Sequence, residues 1–370
     1  MWHSSQEEII QFGNSIMEWA REHPRSLPWK NFSDPYTIWI AEIILQQTRV
    51  EQGGPYFEKF IKHFPTLQSL ATATPEEVMI LWEGLGYYSR ARNLHHTARF
   101  VWHELGGRFP DNSTDLQRLK GIGPYTAAAI ASFAFGEETG VVDGNVKRVV
   151  ARYFYVAEDV ESPAVKRWIQ ELVNRVVAHI PSPEFNQAIM DFGAMNCTPH
   201  NPLCEDCPAS QNCQAYNLEA VDQLPVKGKT PVKQERWLNF GVHVDEGRVA
   251  LIQNTDSNIW KNLYLFPVLG DVDNFRSVVE SPDKTISPEL PLLDRMEWIL
   301  SHRKLNIQFF HLENCPSEWI KNDKIQFVET EKLNNFALPR PLRLFLNQNS
   351  RKLGININHD QQSNFSRTSW

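Results

Sequence analysis

The 370-residue chain contains no run of about 18 apolar residues, so no stretch of it reads as a membrane-spanning helix. Its opening, MWHSSQEEIIQFGN, lacks the basic-then-apolar order of a secretory signal. A cytoplasmic location, nucleoid-associated in a prokaryote, is the expectation. Cysteine is scarce: there are five, four of them between residues 197 and 213. That distribution excludes a disulfide scaffold and fits a reducing compartment. An excess of positive charge is also missing. The formal net charge is -7, with 18 basic against 27 acidic residues in 1–225 and 19 against 17 in 226–370. Charge alone does not point to a nucleic acid, so any DNA contact must be local, through backbone N–H groups, helix ends and a few basic side chains. Apolar residues, by contrast, make up 42%. In a chain of this length they supply more than one core, and two or more domains are expected.

Up to residue 195 or so the apolar spacing is helical, giving roughly ten helices and no convincing strand. Thr74-Pro75-Glu76-Glu77 and Ser113-Thr114-Asp115 read as helix starts, the second leading to a helix that ends at Leu119. Residues 34–50 read as one helix. An all-α region is thus expected over 1–220. VDQLPVKGKTPVKQER, residues 221–236, is basic, proline-punctuated and aperiodic, a linker. WLNFGVHV, GRVALIQN and NIQFFHL are short β-rich segments in an α+β domain over 237–347. Residues 348–370 read as a disordered tail.

Cys197, Cys204, Cys207 and Cys213 follow C-x6-C-x2-C-x5-C. Four thiolates so close in sequence reach a common centre by closing short loops. Zinc is the rival, but its sites usually pair two CxxC arms and only one is present, which favours one four-iron four-sulfur cluster. Cys315 stands apart as an ordinary thiol.

In LKGIGPYT, residues 119–126, Pro124 suits the first turn of a helix and leaves Lys120–Gly123 as a tight connection. Gly121 and Gly123 permit positive φ and leave N–H groups uncovered beside a helix N-terminus, a site for a phosphate. The same pattern also serves as a plain helix–helix turn. Eighteen residues after Tyr125 comes Asp143, in VVDGNVKRVVARYF.

The hairpin, the downstream aspartate and the cysteine spacing together resemble the helix-hairpin-helix DNA glycosylases that carry an iron–sulfur cluster, over about residues 10–215. DPYTIWIAEIILQQT, residues 34–48, and GLGYYSRARNL, residues 84–94, look like the MutY-type adenine DNA glycosylases within that superfamily. The resemblance implies a six-helix module at about 28–133 and an iron–sulfur module made from the N-terminal helix and about 134–220. It implies Glu42 as general acid toward N7 of a flipped adenine, its pKa raised by apolar surroundings. Asp143 is then the ionised partner of the developing oxocarbenium ion or a transient nucleophile, with retention of configuration. Read alone, Asp143 in DGN is also a helix cap or Asx turn. Asn145 is expected to fix Asp143 and the attacking water, and Tyr125 to hydrogen-bond Asp143. Endonuclease III-type relatives have a Schiff-base lysine where this chain has Tyr125, so strand cleavage is not expected.

By the same resemblance Gln46, Gln47 and Tyr87 fill the opened stack and contact the orphan partner base, and Arg25, Leu27, Trp29 and Leu45 form the adenine pocket. Lys30 stands where some relatives have arginine, and Gln187 where some have glutamate. IWKNLYLFPVL, residues 259–269, is similar to the Nudix-like C-terminal domain of this family. The metal-binding REx2E pattern is missing, so pyrophosphate hydrolysis is not expected. Leu300, Ser301 and His302 match the loop that reads 8-oxoguanine. The implied partner is double-stranded DNA with adenine opposite 8-oxoguanine or guanine, approached by a monomer. Two rivals remain: a pyrimidine or thymine glycosylase with lyase activity, and a non-catalytic iron–sulfur DNA-binding redox sensor.

Overall fold

The computed structural model describes residues 4–30, 32–228, 233–255, 259–269, 290–301 and 303–355. They form two compact units. The first comprises Met1–Thr72 and Asn93–Thr230; the second comprises Ala73–Arg92 and Pro231–Trp370. The short segment Ala73–Arg92, which lies within the expected six-helix module, therefore clusters with the C-terminal part of the chain.

Helices α1 Gln6–Glu22, α2 Pro35–Leu45, α3 Val50–His63 and α4 Leu67–Thr72 open the first unit. α5 Pro75–Leu81 lies in the inserted segment, and α6 Ser89–Glu104 begins there. Then follow α7 Ser113–Leu116, α8 Pro124–Phe135, α9 Gly144–Tyr153, α10 Pro163–Val177, α11 Ser182–Met195 and α12 Gln214–Asn217. Three of these termini follow directly from sequence. Thr74 caps α5 with a reciprocal bond to Glu77 and Pro75 in the first turn, as expected. Pro124 opens α8, and Gly136, at φ 70°, closes it.

In the first unit three expectations need correction. α2 ends at Leu45, and the chain turns through Gln46 and Gln47 before α3, where one helix had been expected over 34–50. Nearly every side chain of α2 is buried, and the polar run Gln46–Arg49 cannot continue such a surface. α7 is a single turn capped by Asn112 rather than by Ser113, and Leu119 lies in the turn beyond it. The start of the linker is fixed too, because Arg152 donates to the carbonyls of Val221 and Leu224, and Val160 N–H to that of Val226.

α1, α9, α10 and α11 share one apolar core, with Phe12, Trp19, Ile169 and Phe185 among its buried side chains. A polar knot stands beside it. Asn186 accepts from Val141 N–H at 2.9 Å and donates to Ser132, Ser182 and the Thr139 carbonyl at 2.9–3.0 Å. It fastens the stretch before Asp143 to α8 and α11.

In the second unit β1 Gln234–Val242 pairs in parallel with β6 Arg303–His311, and β5 Leu292–Ile299 pairs antiparallel on the other edge of β6. Register places Leu238 opposite Ile307 and Phe240 opposite Phe309, all four buried. β3 Arg248–Gln253 pairs antiparallel with β2 Val244–Asp245, β4 Tyr264–Leu265 and β7 Ile325–Glu329. After α13 Ser317–Ile320, α14 Arg340–Leu353 stacks Phe345 on Phe309 at 3.9 Å. α14 continues beyond residue 348, where a disordered tail was expected, because Asn349 is buried and bonded to Asp294 and Gly354 supplies a left-handed cap. No helix among the described residues is long and apolar enough to cross a membrane.

Asn186→Ala leaves the buried Val141 N–H and two hydroxyls without this partner. Urea unfolding is expected to show a loss of about 2–3 kcal/mol. A loss below about 0.5 kcal/mol would mean that the knot is dispensable.

Candidate active site

α2 owes its burial to a run that is apolar on all sides, Tyr36 to Ile44, with one acid inside it. That acid is Glu42, 8% exposed. α2 packs against α8, and the two helices meet through polar pairs. Tyr125 hydrogen-bonds the Glu42 carboxyl, and Gln46 Nε2 donates to Thr126 Oγ1 at 3.0 Å. Burial pushes the Glu42 pKa up to about 7; the Tyr125 hydroxyl opposes this, and the Asp143 charge adds to it. Burial, then the charges of Glu42 and Asp143, hold the Tyr125 phenol well above its usual range. Tyr125 thus bonds Glu42, where the expected partner was Asp143. Its hydroxyl also approaches Met190 Sδ at 3.8 Å.

Asp143 caps α9. Its Oδ1 accepts from Val146 N–H at 2.7 Å, and its Oδ2 from Asn145 Nδ2 at 2.9 Å. Burial raises its pKa, against the Val146 and Asn145 hydrogen bonds and the Arg148 charge. Arg148 Nη2 in turn donates to Asn145 Oδ1 at 2.9 Å and to the Gly193 carbonyl at 2.7 Å. α9 and α11 approach closely enough that a Cβ on Gly193 would stand 2.7 Å from Asn145 Cβ. Glycine is required there by distance. The site therefore joins a buried acid with a raised pKa to a second carboxylate anchored by a helix start.

Of the expected pocket residues, Arg25 Nη1 donates to Asp191 Oδ1 at 3.1 Å. Leu27 is buried, Trp29 meets Phe57 edge-on at 5.6 Å, and Leu45 lies over Gly53. Lys30 at 3.4 Å and Gln187 at 2.9 Å both donate to Asp191 Oδ2. Asp191 escaped sequence reasoning; the available signal was its place one helical turn after Gln187. In the hairpin, Gly121 has φ 83° and a Cβ there would strike Asn93. Gly123 is extended, at φ -86°, and only uncovers the start of α8, so positive φ is needed at one glycine rather than two. Gln47 and Tyr87 both hold left-handed backbones, and Tyr87 is 44% exposed. Tyr87 and the exposed Ser301 belong to the second unit, and His302 lies outside the described residues.

The four clustered cysteines line one cavity, partly open to solvent, with Phe12, Tyr153 and Arg152. Arg152 Nη1 donates to Cys197 Sγ at 3.4 Å and to the Thr198 carbonyl at 2.7 Å, and its Nη2 to the Pro199 carbonyl at 3.2 Å. Arg148 Nε holds the Cys197 carbonyl at 2.8 Å. Burial, opposed by the Ala209 N–H and aided by the other three sulfurs, pushes the Cys207 thiol up to about 11.

Residues 40–175 match the HhH-GPD superfamily of base excision DNA repair proteins, and residues 239–348 match the NUDIX domain. The adenine DNA glycosylase of Buchnera aphidicola subsp. Schizaphis graminum is 38% identical over 260 residues, 70% of this chain and 75% of that protein. The enzyme of the same name from Buchnera aphidicola subsp. Baizongia pistaciae is 31% identical over 338 residues, 90% and 95% of the two chains. Among solved structures, a thermostable thymine-DNA glycosylase aligns with TM-score 0.54 and 30% identity over 57% of this chain and 98% of its own.

Glu42 makes stability depend on pH. Its pKa is about 7 in the fold, above the ordinary carboxylate value, so the native state binds its proton more tightly. Stability from this group is complete below its unfolded pKa and is lost as pH rises through about 7. Glu42→Gln removes that loss. Urea titrations should show the variant gaining roughly 3 kcal/mol relative to the parent between pH 4 and pH 9; equal stability differences at both pH values would contradict the shift.

Proposed function

Because the chain belongs to the adenine DNA glycosylase family, we propose that its substrate is double-stranded DNA in which adenine is mispaired with 8-oxoguanine or guanine. Membership makes it a DNA-repair enzyme that hydrolyses the N-glycosidic bond of adenine. The pairing preference and the roles of individual residues are our reading.

An adenine in a duplex is out of reach, and extruding it costs a few kcal/mol of stacking and pairing. Tyr87, exposed on a left-handed turn, enters the vacated stack, assisted by Gln46 and Gln47. Ser301 and His302 contact the 8-oxoguanine, Gly121 and Gly123 offer N–H groups to a phosphate, and Arg25, Leu27, Trp29 and Leu45 enclose the adenine. Glu42 then gives its proton to N7 and the C1′–N9 bond breaks with its electron pair on the base. Asp143 faces the positive charge left at C1′ as a stabiliser or transient nucleophile, and water completes hydrolysis. Asn145 holds Asp143 and the water. Tyr125, hydrogen-bonded to Glu42, offers no amine for a Schiff base, so the reaction stops at the abasic site. The single observation that carries this reading is the buried Glu42 with its pKa raised to about 7 beside Asp143.

For the cofactor we favour one 4Fe–4S cluster on Cys197, Cys204, Cys207 and Cys213. Their sulfurs line one cavity, and their spacing, with a single CxxC arm, suits a polynuclear group better than a zinc ion, whose sites usually pair two such arms. Bound there, a cluster would supply iron–thiolate bonds that tie the loop together. The enzyme acts inside the cell, as a monomer.

Single-turnover assays on duplexes with adenine opposite 8-oxoguanine, guanine or thymine test the whole reading. Glu42→Gln and Asp143→Asn are each expected to lower adenine release by roughly 100- to 10,000-fold. The parent's rate should fall as pH rises through about 7. Release unchanged in either variant, or a strong borohydride-trapped DNA adduct, would end the proposal. Purified protein should show the broad visible absorption of an iron–sulfur cluster; a colourless protein containing zinc would refute that assignment.

A further inference from the structure

The segment Ala73–Arg92 is claimed by the second unit, and the contacts that hold it there converge on one carboxylate. Glu83 follows α5 and immediately precedes the loop that carries Tyr87. Arg343, on α14, donates Nε to Glu83 Oε1 at 2.6 Å and Nη2 to Oε2 at 3.0 Å. The N–H of Leu338 reaches Oε2 at 3.2 Å. Arg343 is itself held by the Leu333 and Phe336 carbonyls. Both side chains are less than one-tenth exposed, 7% for Arg343 and 9% for Glu83, so this is a forked pair in a dry setting. A second tie runs from Arg92 Nη1 to the Lys261 carbonyl at 2.9 Å.

Between these ties the loop is closely braced. Trp82 Nε1 donates to the Gly86 carbonyl at 3.1 Å, and Gly84 N–H to the Tyr88 hydroxyl at 3.3 Å. Arg90 Nη2 donates to the Leu85 and Gly86 carbonyls at 3.3 Å each. The Arg90 guanidinium also lies 5.3 Å from the Trp82 ring centre and 5.5 Å from that of Tyr87. Tyr87 holds φ 47°, a strained conformation for an aromatic residue that persists only when its surroundings fix it. Those surroundings begin at Glu83.

We propose that the buried Arg343–Glu83 pair is a positioning device that seats the Tyr87 loop on the C-terminal unit, so that Arg343 governs base extrusion without touching DNA. The inference rests on Tyr87 filling the vacated stack. It gives the Tyr87 loop and the Leu300–Ser301 turn a common foundation, because both belong to the second unit.

A mutant cycle in the full chain tests it, with single-turnover adenine release measured on a paired duplex and on one whose adenine is an unpaired bulge. Removing one charge would strand the other, so the pair is replaced together, as Glu83→Gln with Arg343→Met. This double variant is expected to slow release from the paired duplex about 10-fold or more, and from the bulge by less than about threefold. Added to Tyr87→Ala, it should slow the paired reaction by no more than about twofold further. Equal slowing on both duplexes, no slowing at all, or fully multiplicative effects with Tyr87→Ala would overturn the coupling while leaving the role of Tyr87 intact. A Tyr87→Ala variant as fast as the parent would overturn the wedge reading and this inference with it. Should the double variant not fold, Arg343→Lys, which keeps the charge and loses the fork, takes its place in the cycle under the same criteria.

Discussion

A carboxylate taken out of water must find donors or a proton, and the first unit buries two carboxyl groups in one site. Each meets the requirement differently. Asp143 stands at the first turn of α9, where Val146 N–H and the Asn145 amide satisfy its two oxygens. Glu42 is in the middle of an apolar helix, with the Tyr125 hydroxyl beside it. Around Asp143 the donors support charge against burial, whereas around Glu42 burial prevails and favours a proton, and such a division is what acid and anion roles within a single site need. Much of the surrounding architecture preserves the difference. α2 must be apolar on every side to keep water from Glu42, and Gly193 must lack a side chain so that α11 can approach Asn145.

α9 carries a second duty along its ten residues. Arg148 reaches back to Asn145 and across to the Gly193 and Cys197 carbonyls, and Arg152 collects carbonyls from 198–199 and 221–224. The helix that begins at one carboxylate is therefore also the post to which the cysteine loop is tied. An arginine suits this work because its planar fork serves several acceptors at once and stays charged when partly buried.

Local chemistry made much of this legible beforehand. The proline at the head of α8, the capping box of α5, the β-rich composition of β1 and β6 and the spacing of the cysteines all have short-range causes. So did Glu42, an acid amid isoleucines, although sequence alone could not tell a solvent strip from a buried site. Asp191 stayed hidden because its importance comes from partners far away in the chain, Arg25 and Lys30. The choice of Glu42 over Asp143 by Tyr125 depends on how α2 meets α8, which no spacing encodes. The same holds for Ala73–Arg92, whose helical pattern says nothing about which unit it joins.

That discontinuous segment also has a history in time. The Leu338 N–H and the Glu83 carboxylate it bonds are 255 residues apart in the chain. At ribosomal speeds of about 5–20 residues per second, Glu83 is made roughly 13–51 s before its partners exist. Through that interval the Tyr87 loop has emerged without its foundation. The nascent protein thus has Glu42 and Asp143 well before it can brace Tyr87, and the order in which the two regions mature follows the direction of translation.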